Sequence, residues 1–447
     1  MQRCSCFLAN RKTISRISIR RTAKSIQVAA ALCWVVIIIM SDTYSATSAT
    51  VAALSSTALK TSKVGRSQRQ QQERWLVVDF DGTCTIRDTT PLLPRLAYLI
   101  ESQNNDNNKD NEHELHAKKY LDLMERLSIF TNLENEYFQR YVEVMGSIES
   151  EHTIEDDGNN NNNFLHSQLE YSLDRLDCIS SEITEKVNTS KILKGLGSVS
   201  YNKLLELIQI YQQKQEKLEE VVDNNDDEVT AIFEGNLRDS LQLHPGCISI
   251  LQRHATCDMS NNNKNNWRIG ILSINWCPTL IEAVVLNPLC DERQLNFEDM
   301  PIWCNTVDEN GVVSLLVPGA IAKKERILKL QQNQNNNNNL VVYVGDSSTD
   351  LLALIQADVG ILLMGSKSTI GLALKFGVTI RSLNDYNNHN DDIDNSNNEF
   401  NNNNNISTTT TTSTKEEKEN NGVDIIWTAS DWDEIGSFLN HNDERLH

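Results

Sequence analysis

Short apolar runs that end in carboxylates or small polar residues alternate, along this chain, with longer segments whose apolar positions recur at helical spacing. The first run, Trp75-Leu76-Val77-Val78, leads into Asp79-Phe80-Asp81-Gly82-Thr83. Unbroken apolar runs of this length read as strands buried on both faces. Arg268–Leu272, Leu340–Val344, Val359–Met364 and Val378–Ile380 have the same character, with helix-like stretches at Pro278–Leu286 and Ala322–Leu330 between them. That alternation predicts an α/β fold with a doubly wound parallel sheet. Ile302–Val317, broken by Asp308-Glu309-Asn310-Gly311, reads as a hairpin excursion.

The grammar changes from Asp88 to about Gly235. Pro91–Ile100, Leu115–Ile129, Asn135–Ile148, Leu165–Cys178 and Tyr201–Val222 all repeat at helical spacing, and no strand is visible. Helical spacing alone would suit an unrelated bundle equally well. Position decides: residues 88–235 are expected as a helical insertion in a core made of 73–87, 236–383 and 423–447. Asn-rich tracts at 159–163, 261–266, 335–339 and 384–421 fall between these elements. Such polar runs bury too little apolar surface to offset the entropy of ordering, so 384–422 is expected to be disordered. Lengthening a loop in this way costs little.

The formal charge of −20 hides a split. Residues 1–72 hold eleven Lys/Arg and one acid, Asp42, so the remainder carries −30. A body that acidic disfavours nucleic acid, whose binding depends on neutralising phosphates. Any phosphate site must therefore be local. The ten cysteines include no zinc-like pair, and the seven beyond residue 72 are scattered, which reads as free thiols in a reducing compartment. Cys84, beside the first motif, reads as a small core residue.

Seven basic residues from Arg3 to Lys24 precede the apolar stretch Ile26–Met40, and Ser45-Ala46-Thr47-Ser48-Ala49 offers small residues for cleavage. The apolar stretch is short for a membrane span and fits the core of a signal sequence. The Ser/Thr/Gln-rich, basic segment after it fits a transit peptide. Residues 1–72 are expected to be a targeting segment for a plastid or mitochondrion, with an endomembrane signal anchor as the alternative. Membrane contact is expected through this segment alone, if it is left uncleaved.

Four segments carry chemistry suited to phosphate, and in an open α/β sheet ligands bind beyond the carboxyl ends of the strands. The first is Asp79-Phe80-Asp81-Gly82-Thr83. The second is the apolar strand that closes in Ser273-Ile274-Asn275-Trp276, where a hydroxyl and neighbouring amides can meet a phosphate oxygen. The third is Lys323-Lys324, opening a helix after Pro318-Gly319-Ala320. The fourth is Gly345-Asp346-Ser347-Ser348-Thr349-Asp350, again after an apolar strand. Mg²⁺ is usually held by one or two carboxylates plus substrate phosphate, which Asp79, the Asp81 carbonyl and Asp346 can supply.

Together these motifs resemble the haloacid dehalogenase (HAD) superfamily of phosphatases. The resemblance implies a Rossmann-like core with an inserted all-helical (C1-type) cap. It implies Asp79 as nucleophile and Asp81 as the acid and base that serves the leaving group and then water. Asp81 favours phosphatase chemistry over dehalogenase or ATPase chemistry, because those relatives lack this second aspartate. Ser273, Asn275 and one lysine would hold phosphate. Lys324 is the choice, since Ile327 and Leu328 then fall at the apolar +3 and +4 positions; Lys323 is the alternative. Asp350 would act behind the metal ligands.

Finer details are similar to the HAD half of plant bifunctional proteins that join a thiaminase-like domain to a thiamine monophosphate phosphatase. These are Cys84-Thr85 and Asp88-Thr89-Thr90 after the first motif, and Ala357-Asp358-Val359-Gly360 after the fourth. Ala429-Ser430-Asp431-Trp432 near the end is the last. The expected partner is a small phosphorylated metabolite: thiamine monophosphate first, then phosphoserine, phosphocholine or pyridoxal phosphate. A non-catalytic, membrane-tethered binding module is the alternative, although binding alone needs no proton shuttle at Asp81.

Overall fold

The computed structural model describes residues 73–104, 112–151, 162–209, 241–255, 267–286, 288–289, 300–332, 339–386 and 424–442. The targeting segment 1–72 and most of the Asn-rich tracts, including 387–422, lie outside the described residues. Among the described residues no helix is long and apolar enough to cross a membrane.

The sheet has seven strands in the order β3-β2-β1-β6-β7-β9-β8, and every pairing in it is parallel. The strands are β1 (Arg74–Val78), β2 (Trp267–Leu272), β3 (Ile302–Trp303), β6 (Leu340–Gly345), β7 (Val359–Leu363), β8 (Thr379–Ser382) and β9 (Ile425–Ala429). A separate antiparallel ribbon, β4 (Thr306–Val307) with β5 (Val313–Ser314), turns on Asp308, whose carboxylate accepts from the amides of Asn310 and Val312. The expected excursion at 302–317 is therefore only partly a hairpin: its first two residues join the main sheet beside β2.

From β1 the chain moves outward through β2 to β3, then returns to β6 on the other side of β1 and moves outward again. The direction of winding reverses between β1 and β6, and that is where an open sheet leaves a crevice beyond its carboxyl ends. Asp79 and Asp346 emerge there.

Both faces of β1 are buried, as its unbroken apolar run requires. Leu76 and Val78, with Val342 and Val344 of β6, pack against α1 (Leu93–Asn104), α5 (Cys247–His254) and α10 (Trp432–Asn442). Trp75, Val77, Val341 and Tyr343 face α7 (Ala320–Gln331), α8 (Leu351–Gln356) and α9 (Lys367–Lys375).

The insertion differs from expectation in two respects. The segments Leu115–Ile129 and Asn135–Ile148 form one helix, α2 (Glu112–Glu151). The linking residues Phe130-Thr131-Asn132-Leu133-Glu134 contain no Gly or Pro to stop it. The next helix, α3 (Asn162–Ser190), runs past Cys178 and is followed by the helical stretch 201–209 (α4). Leu169, Leu173, Leu176, Ile179 and Ile183 of α3 join the same apolar cluster as Ala320 and Ile327 of α7. The insertion is thus packed sidelong on the helix layer of the core.

Candidate active site

β1 lies inside the sheet between β2 and β6, so its end delivers Asp79 into the crevice, with the Asp79 amide donating to Val344 O at 2.9 Å. Asp79 is 3% exposed, and its Oδ1 lies 3.1 Å from Lys323 Nζ. That oxygen has the lysine as a charge neighbour without a directed hydrogen bond. Burial holds the Asp79 carboxyl well above the usual carboxylate range; Lys323 opposes the shift, while Asp350, Asp346 and Asp81 add to it.

Asp346, at the end of β6, accepts from Thr83 Oγ1 at 2.8 Å. Burial and the neighbouring Asp350 push its carboxyl up to about 7, against Thr83 and Lys323. Gly82 has φ +75°, and a Cβ there would stand 2.3 Å from Asp346 Oδ2. Only glycine lets the motif loop turn against this carboxylate.

Asp350 is fully occupied. Its Oδ1 accepts from Lys323 Nζ at 2.7 Å and Tyr343 Oη at 2.6 Å. Its Oδ2 accepts from the amides of Asp346 and Ser347 at 3.2 and 3.0 Å and from Ser347 Oγ at 2.8 Å. Burial works against its ionisation, yet Lys323, Tyr343 and the Ser347 amide outweigh that and hold its carboxyl below the usual range. Lys323, faced by Asp350 and Asp79, is held above the ordinary lysine value despite its burial.

The Asp81 side chain is turned to a different set of partners. Its Oδ1 accepts from Thr89 N at 2.8 Å and Thr89 Oγ1 at 2.7 Å, and its Oδ2 from Asn275 Nδ2 at 2.9 Å. Burial, with Asp88 in support, pushes this carboxyl up to about 7, against the hydrogen bonds from Asn275 and Thr89. An acid in that range can both give and take a proton near neutrality.

Two sequence-based assignments need correction. Lys324 does not reach the site. Its Nζ pairs with the Glu170 carboxylate and lies 3.4 Å from His166 Nε2, both on α3. The lysine in the crevice is Lys323, which is wholly buried. Lys323 and Ile327 are four apart and share the inner face of α7, whereas Lys324 and the half-exposed Leu328 share the outer one. Ile327, the +3 neighbour of Lys324, is the buried +4 neighbour of Lys323, while Leu328 at +4 from Lys324 is exposed. Asn275 does not present its side chain to phosphate either. Its amide nitrogen is spent on Asp81 and on Thr89 Oγ1, and its Oδ1 accepts from Cys277 N at 2.9 Å.

Ser273, at the end of β2, lies buried; its Oγ accepts from Asn275 N at 3.1 Å. Its hydroxyl proton has no acceptor among the described residues, so it remains available to an anion.

Thr89, Tyr343 and Asp177 were not anticipated. Thr89 stands in the Asp88-Thr89-Thr90 string, which carried a readable hydroxyl signal, whereas Tyr343 looks like one more apolar strand residue. Asp177 on α3 accepts from the amides of Ala320 and Ile321 at 3.1 and 3.3 Å, at the start of the helix that bears Lys323. A Cβ at Gly319 would stand 1.8 Å from its Oδ1, so glycine permits this approach.

The donors fit a divalent cation. Ligand atoms of Asp79, Asp346 and Asp350 lie within 4.8 Å of one another. Asp350 has its oxygens committed, which leaves Asp79 and Asp346 as the carboxylate share. On the motif loop the carbonyls of Phe80, Gly82, Thr83 and Cys84 all accept hydrogen bonds. The carbonyl of Asp81 accepts none among the described residues. Lys323 alone faces the buried carboxylates of Asp79 and Asp350 and the half-buried one of Asp346, and a hard cation with oxygen ligands would offset the excess negative charge.

No family model matches the chain. Among curated proteins it is similar to the "Bifunctional TH2 protein, mitochondrial" of Arabidopsis thaliana, with 24% identity over 308 residues, 67% of this chain and 41% of that protein. The chain thus spans less than half the length of this relative. A phosphoserine phosphatase solved as a phospho-aspartyl intermediate analogue aligns at 14% identity, over 68% of this chain and 91% of that one, with a TM-score of 0.31. A HAD family hydrolase from Salmonella enterica aligns at 13% identity, over 67% and 66%, with a TM-score of 0.29. Superpositions this loose assign no residue a role. In its strand-end motifs the chain resembles the haloacid dehalogenase superfamily of phosphatases.

Proposed function

We propose that the chain is a Mg²⁺-dependent phosphomonoester hydrolase working through an aspartyl-phosphate at Asp79. One observation carries this reading: two aspartates from a single strand end, Asp79 buried and Asp81 half-buried, have unlike surroundings. Asp79 faces Lys323 at 3.1 Å, while Asp81 is fixed by Thr89 and Asn275. Two carboxylates with separate environments can take separate roles.

An Asp79 oxygen attacks phosphorus, and the bond from phosphorus to the ester oxygen breaks. Asp81 gives its proton to the departing alkoxide. It then takes one from water, which attacks the phosphorus and releases Asp79. Lys323 sits beside the nucleophile, where its charge offsets that of the approaching phosphate. The Ser273 hydroxyl can donate to a phosphate oxygen. Asp79, Asp346 and the Asp81 carbonyl would hold the cation, which when bound supplies positive charge to the phosphate oxygens.

Thiamine monophosphate is the first substrate to try, with phosphoserine, phosphocholine and pyridoxal phosphate next. The resemblance to plant bifunctional proteins supports that order. The basic, Ser/Thr-rich residues 1–72, and a relative whose name calls it mitochondrial, support delivery to a mitochondrion or plastid.

The test is phosphate release from p-nitrophenyl phosphate and from that metabolite panel, with and without Mg²⁺. Asp79→Asn should lower release by about 10³-fold or more. A wild-type protein that binds these esters and releases no phosphate from any of them would be a binding module instead.

A further inference from the structure

Resting on the metal site proposed above, one string near the chain end gains a task. The motif loop carries three successive carbonyls, each claimed from a distant part of the chain. Gly82 O lies 3.1 Å from His244 Nε2, Thr83 O accepts from the Trp432 indole at 3.0 Å, and Cys84 O accepts from His244 N at 2.9 Å. The indole bond joins residues 349 apart in sequence, and both partners are buried.

Trp432 is itself firmly placed. It opens α10 directly after β9, where Asp431 accepts from Glu434 N at 2.9 Å and Glu434 accepts from Ser430 N at 2.7 Å. The first bond caps the helix, and the second ties the preceding residue to its first turn. The ring is 1% exposed and packs with Ile435 and Phe438 in the apolar layer. Thr83, held at its carbonyl by this indole, donates its hydroxyl to Asp346 at 2.8 Å. A continuous path therefore runs from the last helix to the metal-binding carboxylate.

We propose that Trp432 is a positioning residue for the cation site: its indole N–H fixes Thr83, and Thr83 in turn orients Asp346. Hydrogen bonds behind metal ligands commonly govern affinity in this way.

Calorimetric titration of the metal-free protein with Mg²⁺, needing no substrate, tests the idea. Trp432→Phe keeps an aromatic ring without the N–H and should weaken Mg²⁺ binding about tenfold. Thr83→Val should do the same, Thr83→Ser should stay within about twofold of wild type, and Trp432→Phe with Thr83→Val should be no worse than Thr83→Val alone. Thr83→Val probes the path from its other end with the indole in place, so a folding defect in Trp432→Phe does not shield the proposal. It is overturned if Trp432→Phe or Thr83→Val lowers the thermal midpoint yet leaves Mg²⁺ affinity unchanged. A wild-type protein that takes up no Mg²⁺ would instead bring down the metal site itself.

Discussion

Lys323 and Lys324 are adjacent on one helix and meet opposite worlds. The inner face of α7 turns Lys323 into the crevice, between Asp79 at 3.1 Å and Asp350 at 2.7 Å, with no solvent exposure. Its outer face turns Lys324 to Glu170 and His166 of the insertion, where the side chain keeps 24% of its exposure. The same chemical group is thus an internal counter-charge in one place and a partly solvated strut in the other. A charge removed from a buried cluster leaves its partners uncompensated, whereas a partly exposed pair is screened by water.

The sharpest way to break this comparison is to remove each charge in turn. Lys323→Met should lower phosphate release by about 10²–10³-fold, as loss of one preorganised positive donor commonly does. It should also destabilise the fold, by about 3–5 kcal/mol on the scale of a broken buried pair, read from denaturant unfolding. Lys324→Met should leave turnover within about threefold. Equal losses from both would end the distinction.

A middle-sized effect is expected at Asn275, whose amide holds the Oδ2 atom of Asp81. Asn275→Ala should lower kcat about tenfold, with substrate KM little changed, if Asn275 acts by steadying Asp81 as the proposed proton carrier. A rise in KM at constant kcat would return Asn275 to the phosphate site.

The smallest effect concerns the insertion side of α7. Burial pushes the Asp177 carboxyl up to about 6, above the usual carboxylate range, despite the hydrogen bonds from Ala320 N and Ile321 N. The folded protein then binds this proton more tightly than the unfolded chain does. The stability Asp177 contributes is complete below about pH 4 and is lost as pH rises through 6. Asp177→Asn cannot ionise, so its thermal midpoint should gain on wild type by about 2 °C between pH 5 and pH 8. A midpoint difference that stays flat with pH would mean Asp177 is not held protonated at all.

Much of the core was legible because strand burial and strand-end chemistry are local signals. Trp75–Val78 and Leu340–Val344 are apolar without interruption because both their faces are covered, and the residues after them are polar because the chain there leaves the sheet. The insertion was legible as helix, but its breaks were not. Phe130–Glu134 resembles a linker in its polarity, and only the absence of Gly and Pro marks it as helix interior. β9 was not anticipated as a strand: residues 423–447 enter the expected core through the Ala429-Ser430-Asp431-Trp432 likeness, and the Asn- and Thr-rich sequence before it gives no periodicity to follow.

By itself, then, the sequence determined which strand ends carry carboxylates, which residue types gather at the sheet edge and that a helical insertion follows the first strand. Those properties follow from composition over a few neighbouring positions. The tertiary structure alone decided which of two adjacent lysines is buried, that Asn275 serves Asp81, and that Asp350 spends its oxygens on Lys323, Tyr343 and the Ser347 turn. Successive helix residues differ by about 100° in direction. Which direction is inward depends on what packs against the helix, and here α3 and the sheet, far away in sequence, set it.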